Sequence, residues 1–429
     1  MNRNTILGTF AVGLLLIMAG IVYQEEAVSN SVQQRINSPQ VDSSITTEKT
    51  KMSQLVSASN QFGFDLFQQL QQPAEQENIF ISPSSVAIAL AMTRNGTSGE
   101  TLAEMNNSLG LNQLDPEIIN TSYAKLISSL QMADANVQLA IANSLWVNQN
   151  ISLKKQFTSK AKNFYQAEVT NLDFSTPATK DTINNWVADN TADRIPQIVD
   201  SVSPEDAMYL INAIYFKGSW QNKFDLNATT KQSFYLDGSS ENSELTKEVA
   251  MMSQNGDYRY FDHEQFQAIR LPYGEQGELG MYIFLPQENS SLKQFNQSLN
   301  LDNWREWLSQ MRSQRGSITM PKFKLEFETE LKGVLATLGM KQVFNPTQAN
   351  FSRMSDNAVA IDTVKHKAVI EVNEEGTEAA GVTSIGVRIT SATPEEPPFK
   401  MNLNRPFFFA IRDDVTETIL FMGNVNEPK

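Results

Sequence analysis

The sequence predicts a fold that mixes α-helices and β-strands without regular alternation, and three segments carry that reading. Phe62, Leu66 and Leu70 recur at i, i+4 and i+8, with Phe67 beside them, which marks an amphipathic helix early in the chain. Phe407–Ile411 and Ile419–Met422 are continuous apolar runs joined by the polar stretch Arg412 to Thr418, the pattern of a buried β-hairpin. Between them lies Val364, His366, Ala368, Ile370, an alternating set with Lys365 and Lys367 on the opposite parity, which reads as a strand whose apolar face carries a histidine.

The other elements follow in chain order. Ser82-Pro83 ahead of Val86–Met92 has the composition of a helix start, with a hydroxyl cap and a proline in the first turn. Val334, Leu335, Leu338 and Phe344 predict a second helix near a turn at Gly339. From Thr377 to Ile389 the odd-numbered residues Thr377, Ala379, Gly381, Thr383, Ile385, Val387 and Ile389 are all uncharged, while Glu378 and Arg388 fall on the even set. In extended form this segment has one face fit for burial and one fit for solvent. Its small residues and its glycines Gly376, Gly381 and Gly386 make it a poor permanent strand. Pro394, Pro397 and Pro398 exclude a central strand just beyond it and predict an exposed loop. A loop able to become a strand is a candidate switch.

Glu374-Glu375-Gly376-Thr377-Glu378-Ala379-Ala380 resembles the hinge of the reactive-centre loop of serpins, the serine protease inhibitor family, and Gly381 continues it. The resemblance runs from about Met52 to Pro428. NIFISPSSVAIALAM at Asn78–Met92 and NGTSGET at Asn95–Thr101 are similar to the family's helix B and the turn after it. IANSLWV at Ile141–Val147 and INAIYFKGSW at Ile211–Trp220 are similar to its central strands. LPY at Leu271–Tyr273, MPKFKLE at Met320–Glu326, LGMKQVF at Leu338–Phe344, VKHKAVIEV at Val364–Val372, RPFFFAI at Arg405–Ile411 and FMGNV at Phe421–Val425 follow in the family's order. The resemblance implies an α+β fold of three β-sheets, A to C, with eight or nine helices around them and an exposed loop over about residues 374–400.

It also implies a function. The loop is offered to a protease as substrate, a serine or cysteine nucleophile forms an acyl-enzyme, and the freed loop inserts into sheet A before hydrolysis is complete. The native fold is then metastable. Ser82, Ser85, Asn212 and His366 match the family's "shutter" beneath sheet A, and Trp220, Lys322 and Glu374 match its "breach", where the loop enters. The family's spacing from Glu374 puts the scissile bond at Thr390-Ser391, with Ile389 or Arg388 as alternative residues. Thr390 or Ile389 suits elastase-like or subtilisin-like targets, and Arg388 suits trypsin-like ones. Small or uncharged residues on the hinge's burial face favour inhibition over the alternative, a non-inhibitory carrier, binding protein or chaperone.

Composition bounds the remaining possibilities. The 429 residues carry a formal net charge of −14, which argues against nucleic acid, heparin-like polyanions and anionic membrane surfaces as partners. Tyr123–Leu139, on the side where some serpins bind glycosaminoglycans, offers only Lys125. Cysteine is absent, so disulfides and thiol chemistry are excluded. The two histidines, His263 and His366, lie far apart in sequence, and no nucleophile motif accompanies them. His263, between Asp262 and Glu264, reads as an exposed loop residue. No enzyme, metal or cofactor is expected, and the expected partner is a serine protease bound by a monomer.

Ile6 to Tyr23 is almost wholly apolar, preceded by Arg3 and followed by Glu25 and Glu26. It is a signal peptide or an uncleaved anchor, and either way the charge bias places the rest of the chain across the membrane, extracellular or periplasmic. Residues 24–51 read as a disordered polar linker, and 52–429 as the folded domain.

Overall fold

The structure is a computed structural model that describes residues 43–72, 77–238, 245–377 and 397–429, with side chains from residue 50. The apolar segment Ile6–Tyr23 lies outside the described residues. Residues 51–429 form one compact unit. The first helix runs Ser43–Gln71, so the segment read as linker ends in helix. Its apolar stripe is buried as the spacing predicts: Phe62, Leu66, Phe67 and Leu70 all lie in the core.

One sheet has six strands, in the order β10 (Phe323–Glu330), β11 (Thr363–Asn373), β12 (Gly376–Thr377), β4 (Met208–Ser219), β2 (Val137–Asn148) and β3 (Glu168–Leu172). The other has nine: β1 (Ile79–Ile81), β15 (Ile419–Val425), β14 (Phe407–Asp413), β8 (Leu279–Pro286), β7 (Phe266–Tyr273), β6 (Thr246–Asp262), β9 (Arg312–Pro321) and β13 (Phe399–Asn402), with β5 (Thr230–Tyr235) paired to β6. Three sheets are expected from the resemblance, but hydrogen bonding among the described residues joins the strands into two ladders. The 17-residue β6 is the reason, because it pairs with β5 over Thr246–Met251, with β9 over Met251–Tyr260 and with β7 over Arg259–Asp262. Nine α-helices pack around the sheets among the described residues.

The predicted hairpin is β14–β15, buried along nearly its whole length, with a bulge at Ile411/Arg412. Phe80 stacks between Phe409 and Phe421, at ring-centroid distances of 5.7 and 5.2 Å. Near Gly339 the chain departs from expectation. The helix is only Lys332–Thr337, Gly339 turns at φ +107°, and Phe344 lies in a separate 3₁₀ turn, Gln342–Phe344. A left-handed glycine ends a helix, so Phe344 cannot share the helix that holds Val334 and Leu335 and is capped at Leu338. His263 is half-buried rather than exposed, stacked on Phe266 at 4.6 Å in the β6–β7 turn.

Helix Pro83–Arg94 is buried on every side, as a helix enclosed by protein must be. The Ser82 hydroxyl accepts the Ser85 N–H at 3.4 Å to cap it, and Pro83 needs no hydrogen bond at that position. The helix start meets a row of polar side chains crossing three strands. His366 on β11 is in register with Asn212 on β4, and Asn212 with Asn143 on β2. The Ser82 N–H donates to His366 Nε2 at 3.2 Å, so Nδ1 carries the proton and donates to Asn212 Oδ1 at 2.6 Å. Asn212 Nδ2 then donates to Ser85 Oγ at 2.5 Å and to Asn143 Oδ1 at 2.6 Å. Neither nitrogen of His366 has room for a second proton, and full burial pushes its pKa down to about 3.

That depressed value makes stability depend on pH. The unfolded chain takes a proton on His366 near its ordinary value of 6.5, and the folded one does not until about 3. The contribution is therefore fully present above pH 6.5 and is lost as pH falls toward 3, with a slope of up to about 1.4 kcal/mol per pH unit. Urea unfolding of the chain and of His366→Gln between pH 7 and 4 checks this. The variant should lose that part of the slope, and parallel curves would refute it.

Candidate functional site

The residues that follow β11 form the candidate site. After Asn373 the chain reverses through Glu374 and Glu375, and Gly376–Thr377 returns as β12 between two strands. β12 is antiparallel to both neighbours: Gly376 and Thr377 face Asn373 and Val372 of β11 on one side and Ser219 and Gly218 of β4 on the other. Farther along, from Thr363↔Tyr209 to Val369↔Tyr215, β11 and β4 pair directly in parallel. The seam between these strands therefore holds a two-residue wedge at one end and is closed by direct pairing over Thr363–Val369.

Glycine is required at the wedge tip. Gly376 has φ +148°, and a Cβ there would lie 2.1 Å from the Gly218 carbonyl oxygen and 2.7 Å from Ser219 Cα. The next residue is the first to place a side chain inside. Thr377 is fully buried, and its hydroxyl is 2.7 Å from the Tyr273 hydroxyl, so neither polar tip is left unsatisfied. Burial pushes the Tyr273 phenol far above its ordinary range. Tyr273 is held from behind by Trp220, stacked at 4.3 Å and 13°, and by Phe216, edge-on at 5.2 Å. Gly218 makes room for both rings, since a Cβ there would meet Phe216 at 2.9 Å and Tyr273 at 3.0 Å.

The reversal itself is clamped. Trp220 donates its indole N–H to the Asn373 carbonyl at 2.9 Å and its backbone N–H to Glu375 at 3.0 Å, while the Phe224 N–H donates to the Glu374 carbonyl at 3.0 Å. Glu374 is buried, and its carboxylate receives Lys322 Nζ at 2.9 Å and the Thr229 hydroxyl at 2.7 Å. Burial alone would raise its pKa, but the hydrogen bonds from Lys322 and Thr229 outweigh it and hold the value below the ordinary carboxylate range. Glu375 pairs with Lys223 at 2.5 Å.

The structure thus brings Glu374, Lys322 and Trp220 together around Gly376 and Thr377. Ser82, Ser85, Asn212 and His366 form the separate polar row described above. Glu378, Ala379, Ala380, Gly381, Arg388, Ile389, Thr390 and Ser391 lie outside the described residues. Pro397 and Pro398 are exposed, and the chain then rejoins the fold as β13, parallel to β9. Sequence reasoning missed Tyr273, Thr229 and Asn143. Asn143 had a signal: it is an asparagine in an apolar run that pairs with the run containing Asn212. Thr229 had none, because its partner is remote in sequence.

Comparison with known proteins fits this geometry. A family model described as Serpin (serine protease inhibitor) matches residues 57–428. Iripin-2 of Ixodes ricinus is 33% identical over 380 residues, covering 87% of this chain and 94% of that protein. The crystal structure of the thermophilic serpin tengpin in the native state aligns with a TM-score of 0.77 at 31% identity, covering 87% of this chain and 94% of that one. Human thyroxine-binding globulin complexed with thyroxine aligns with a TM-score of 0.80 at 25% identity, covering 88% of this chain and 100% of that one. Strand order, seam and motifs agree with a match over most of the length, and the chain belongs to the serpin family.

Proposed function

We propose that this protein inhibits a serine endopeptidase as a suicide substrate, by inserting its reactive-centre loop between β11 and β4. The observation that carries the proposal is the wedge: Gly376 and Thr377 already occupy the end of a seam that is closed by direct strand pairing over Thr363–Val369. The protease serine Oγ attacks the scissile carbonyl, the new amine leaves with the C-terminal segment, and an ester remains on the enzyme. The upstream loop then continues β12 down the seam, each residue exchanging the β11–β4 pairing for pairing on both sides. Trp220, Lys322 and Glu374 hold the entry, and the His366–Asn212 row is the contact that must part for insertion to finish. Such loop insertion is a known case of strand addition.

The reading extends to the target and its location. Cleavage between Thr390 and Ser391 assigns the loop to elastase-like or subtilisin-like proteases, and Ile6–Tyr23 directs the domain, as a monomer, across a membrane. Mass spectrometry of the released C-terminal segment should show a fragment beginning at Ser391. One beginning at Ile389 assigns the bond to Arg388 and a trypsin-like target.

A detergent-resistant covalent complex with such a protease tests inhibition against the non-inhibitory reading, under which the loop is only cleaved or left intact. Two hinge variants test insertion itself. Thr377→Arg places a charge where the native side chain is fully buried, at a cost of several kcal/mol, and should convert inhibitor to substrate. Glu378→Arg, of opposite parity, should inhibit nearly as the unaltered chain does. Gly376→Ala should also raise the stoichiometry of inhibition, because its methyl group meets the Gly218 carbonyl. Trapping by Thr377→Arg and Gly376→Ala at unaltered stoichiometry would sink the insertion mechanism.

A further inference from the structure

A strap of chain crosses the outer face of the seam. It starts as helix Ala178–Asn190, turns through residues 191–194 and continues over residues 195–199. Ile183, Val187, Ile195 and Ile198 are buried with Ala142 of β2, Ile211 and Ala213 of β4, and Val369 of β11, so the strap lies over both walls of the seam. The Asn184 amide accepts the Ile198 and Val199 N–H groups at 2.9 and 3.0 Å, and Lys367 of β11 donates to the Gln197 carbonyl at 3.1 Å. Thr377 faces Tyr273 on the inner side, so alternate residues of a strand continuing from it must face the strap. The strap has to lift for such a strand to pass.

The turn in the strap is strained. Four described non-glycine residues have positive φ, and two of them are adjacent here, Ala192 at 51° and Asp193 at 60°. Ala192 follows the helix cap Thr191, a place where a left-handed residue is usually glycine, and aspartate tolerates that conformation better than alanine does. Both flanks impose the geometry. The Asp193 N–H donates to the Ala188 carbonyl at 2.9 Å, and the Arg194 N–H to the Thr191 carbonyl at 3.0 Å. Thr191 is fully buried, donates its hydroxyl to the Val187 carbonyl at 2.7 Å and accepts the Ile195 N–H at 3.2 Å. The Ala192 side chain is exposed, so no packing offsets its strain. One left-handed L-residue shifts a local equilibrium about tenfold against the closed form.

We propose that Ala192 is a positioning residue for loop insertion: its left-handed strain lowers the cost of lifting the strap, so that the seam clears before the acyl-enzyme is hydrolysed. The inference rests on the insertion reading above. Strained residues persist only where surrounding contacts over-determine them, and segments that must move are drawn from the less stable parts of a fold. Here Thr191 and Ile195 supply those contacts, and a lifted strap no longer holds Ala192 in place.

Hydrogen–deuterium exchange at the Ile198 and Val199 amides of the full chain reads strap opening, and the stoichiometry of inhibition of a subtilisin-like protease reads insertion. Ala192→Gly relieves the strain and should slow that exchange about tenfold. Ala192→Asn should act in the same direction while keeping a side chain, which separates strain relief from the freedom of glycine. With hydrolysis unchanged, the ratio of cut to trapped inhibitor should rise in both variants by the factor read in exchange. Gln166→Gly relieves a left-handed residue, φ 52°, at the end of helix Lys155–Tyr165 and should change neither reading. Slowed exchange with unaltered stoichiometry, exchange that does not slow, or an equal rise in Gln166→Gly overturns the proposal. Slowed exchange in a chain that traps no protease in any form supports the weak turn and defeats the insertion reading instead.

Discussion

The structure depends on one seam. β11 and β4 run parallel and bond to each other over Thr363–Val369, yet they part at one end around Gly376–Thr377. Backbone groups at such a seam must be paired in either arrangement, because a buried N–H or carbonyl without a partner costs as much as a lost hydrogen bond. Two closed arrangements satisfy this condition: the strands bonded to each other, or each bonded to a third strand between them. The fold holds the first over most of the seam and the beginning of the second at its end. Continuing β12 would add a ladder on each side for every one it removes.

Both faces of the seam are covered, so opening it disturbs two layers of packing. Beneath lies helix Pro83–Arg94 with the row His366–Asn212–Asn143, in which each polar group uses its neighbour. Pulling β11 from β4 separates His366 from Asn212 and leaves buried donors and acceptors exposed to one another's loss, a cooperative lock rather than a graded one. On the opposite face, helix Ala178–Asn190 and the residues after it pack Ile183, Val187, Ile195 and Ile198 against Ala142, Ile211, Ala213 and Val369. Asn184 fastens that segment by accepting the Ile198 and Val199 N–H groups and donating to the Val199 carbonyl.

Much of this was legible in the sequence, for identifiable reasons. The strand carrying His366 announced its inward face by alternation, and the hairpin announced burial by unbroken apolar runs. Gly376 and Thr377 were marked by small size and parity, and the structure places both in the seam. What was not legible depends on contacts between remote residues. No local pattern says that Thr229 meets Glu374, that Tyr273 meets Thr377, or that β6 is long enough to join two sheets into one ladder. The turn at Gly339 was legible, but Phe344 was grouped with the helix before it, and the left-handed glycine puts it in a separate 3₁₀ turn.

Lys367 shows how the covering layer is tied to the seam. It lies on the face opposite His366, only 7% exposed, and donates to Glu326 at 2.8 Å, Glu328 at 3.1 Å and the Gln197 carbonyl at 3.1 Å. Burial alone would lower its pKa, but the two carboxylates outweigh that and hold the ammonium charged. One side chain of β11 thus joins the neighbouring strand β10 to the segment crossing above the seam. Moving β11 with β10 preserves the two ion pairs, whereas moving β11 away from that segment breaks only the hydrogen bond to Gln197. The ion pairs therefore favour β10 and β11 shifting together, as one rigid pair, away from β4. A parting of the sheet would then fall at the boundary where Gly376 and Thr377 already stand.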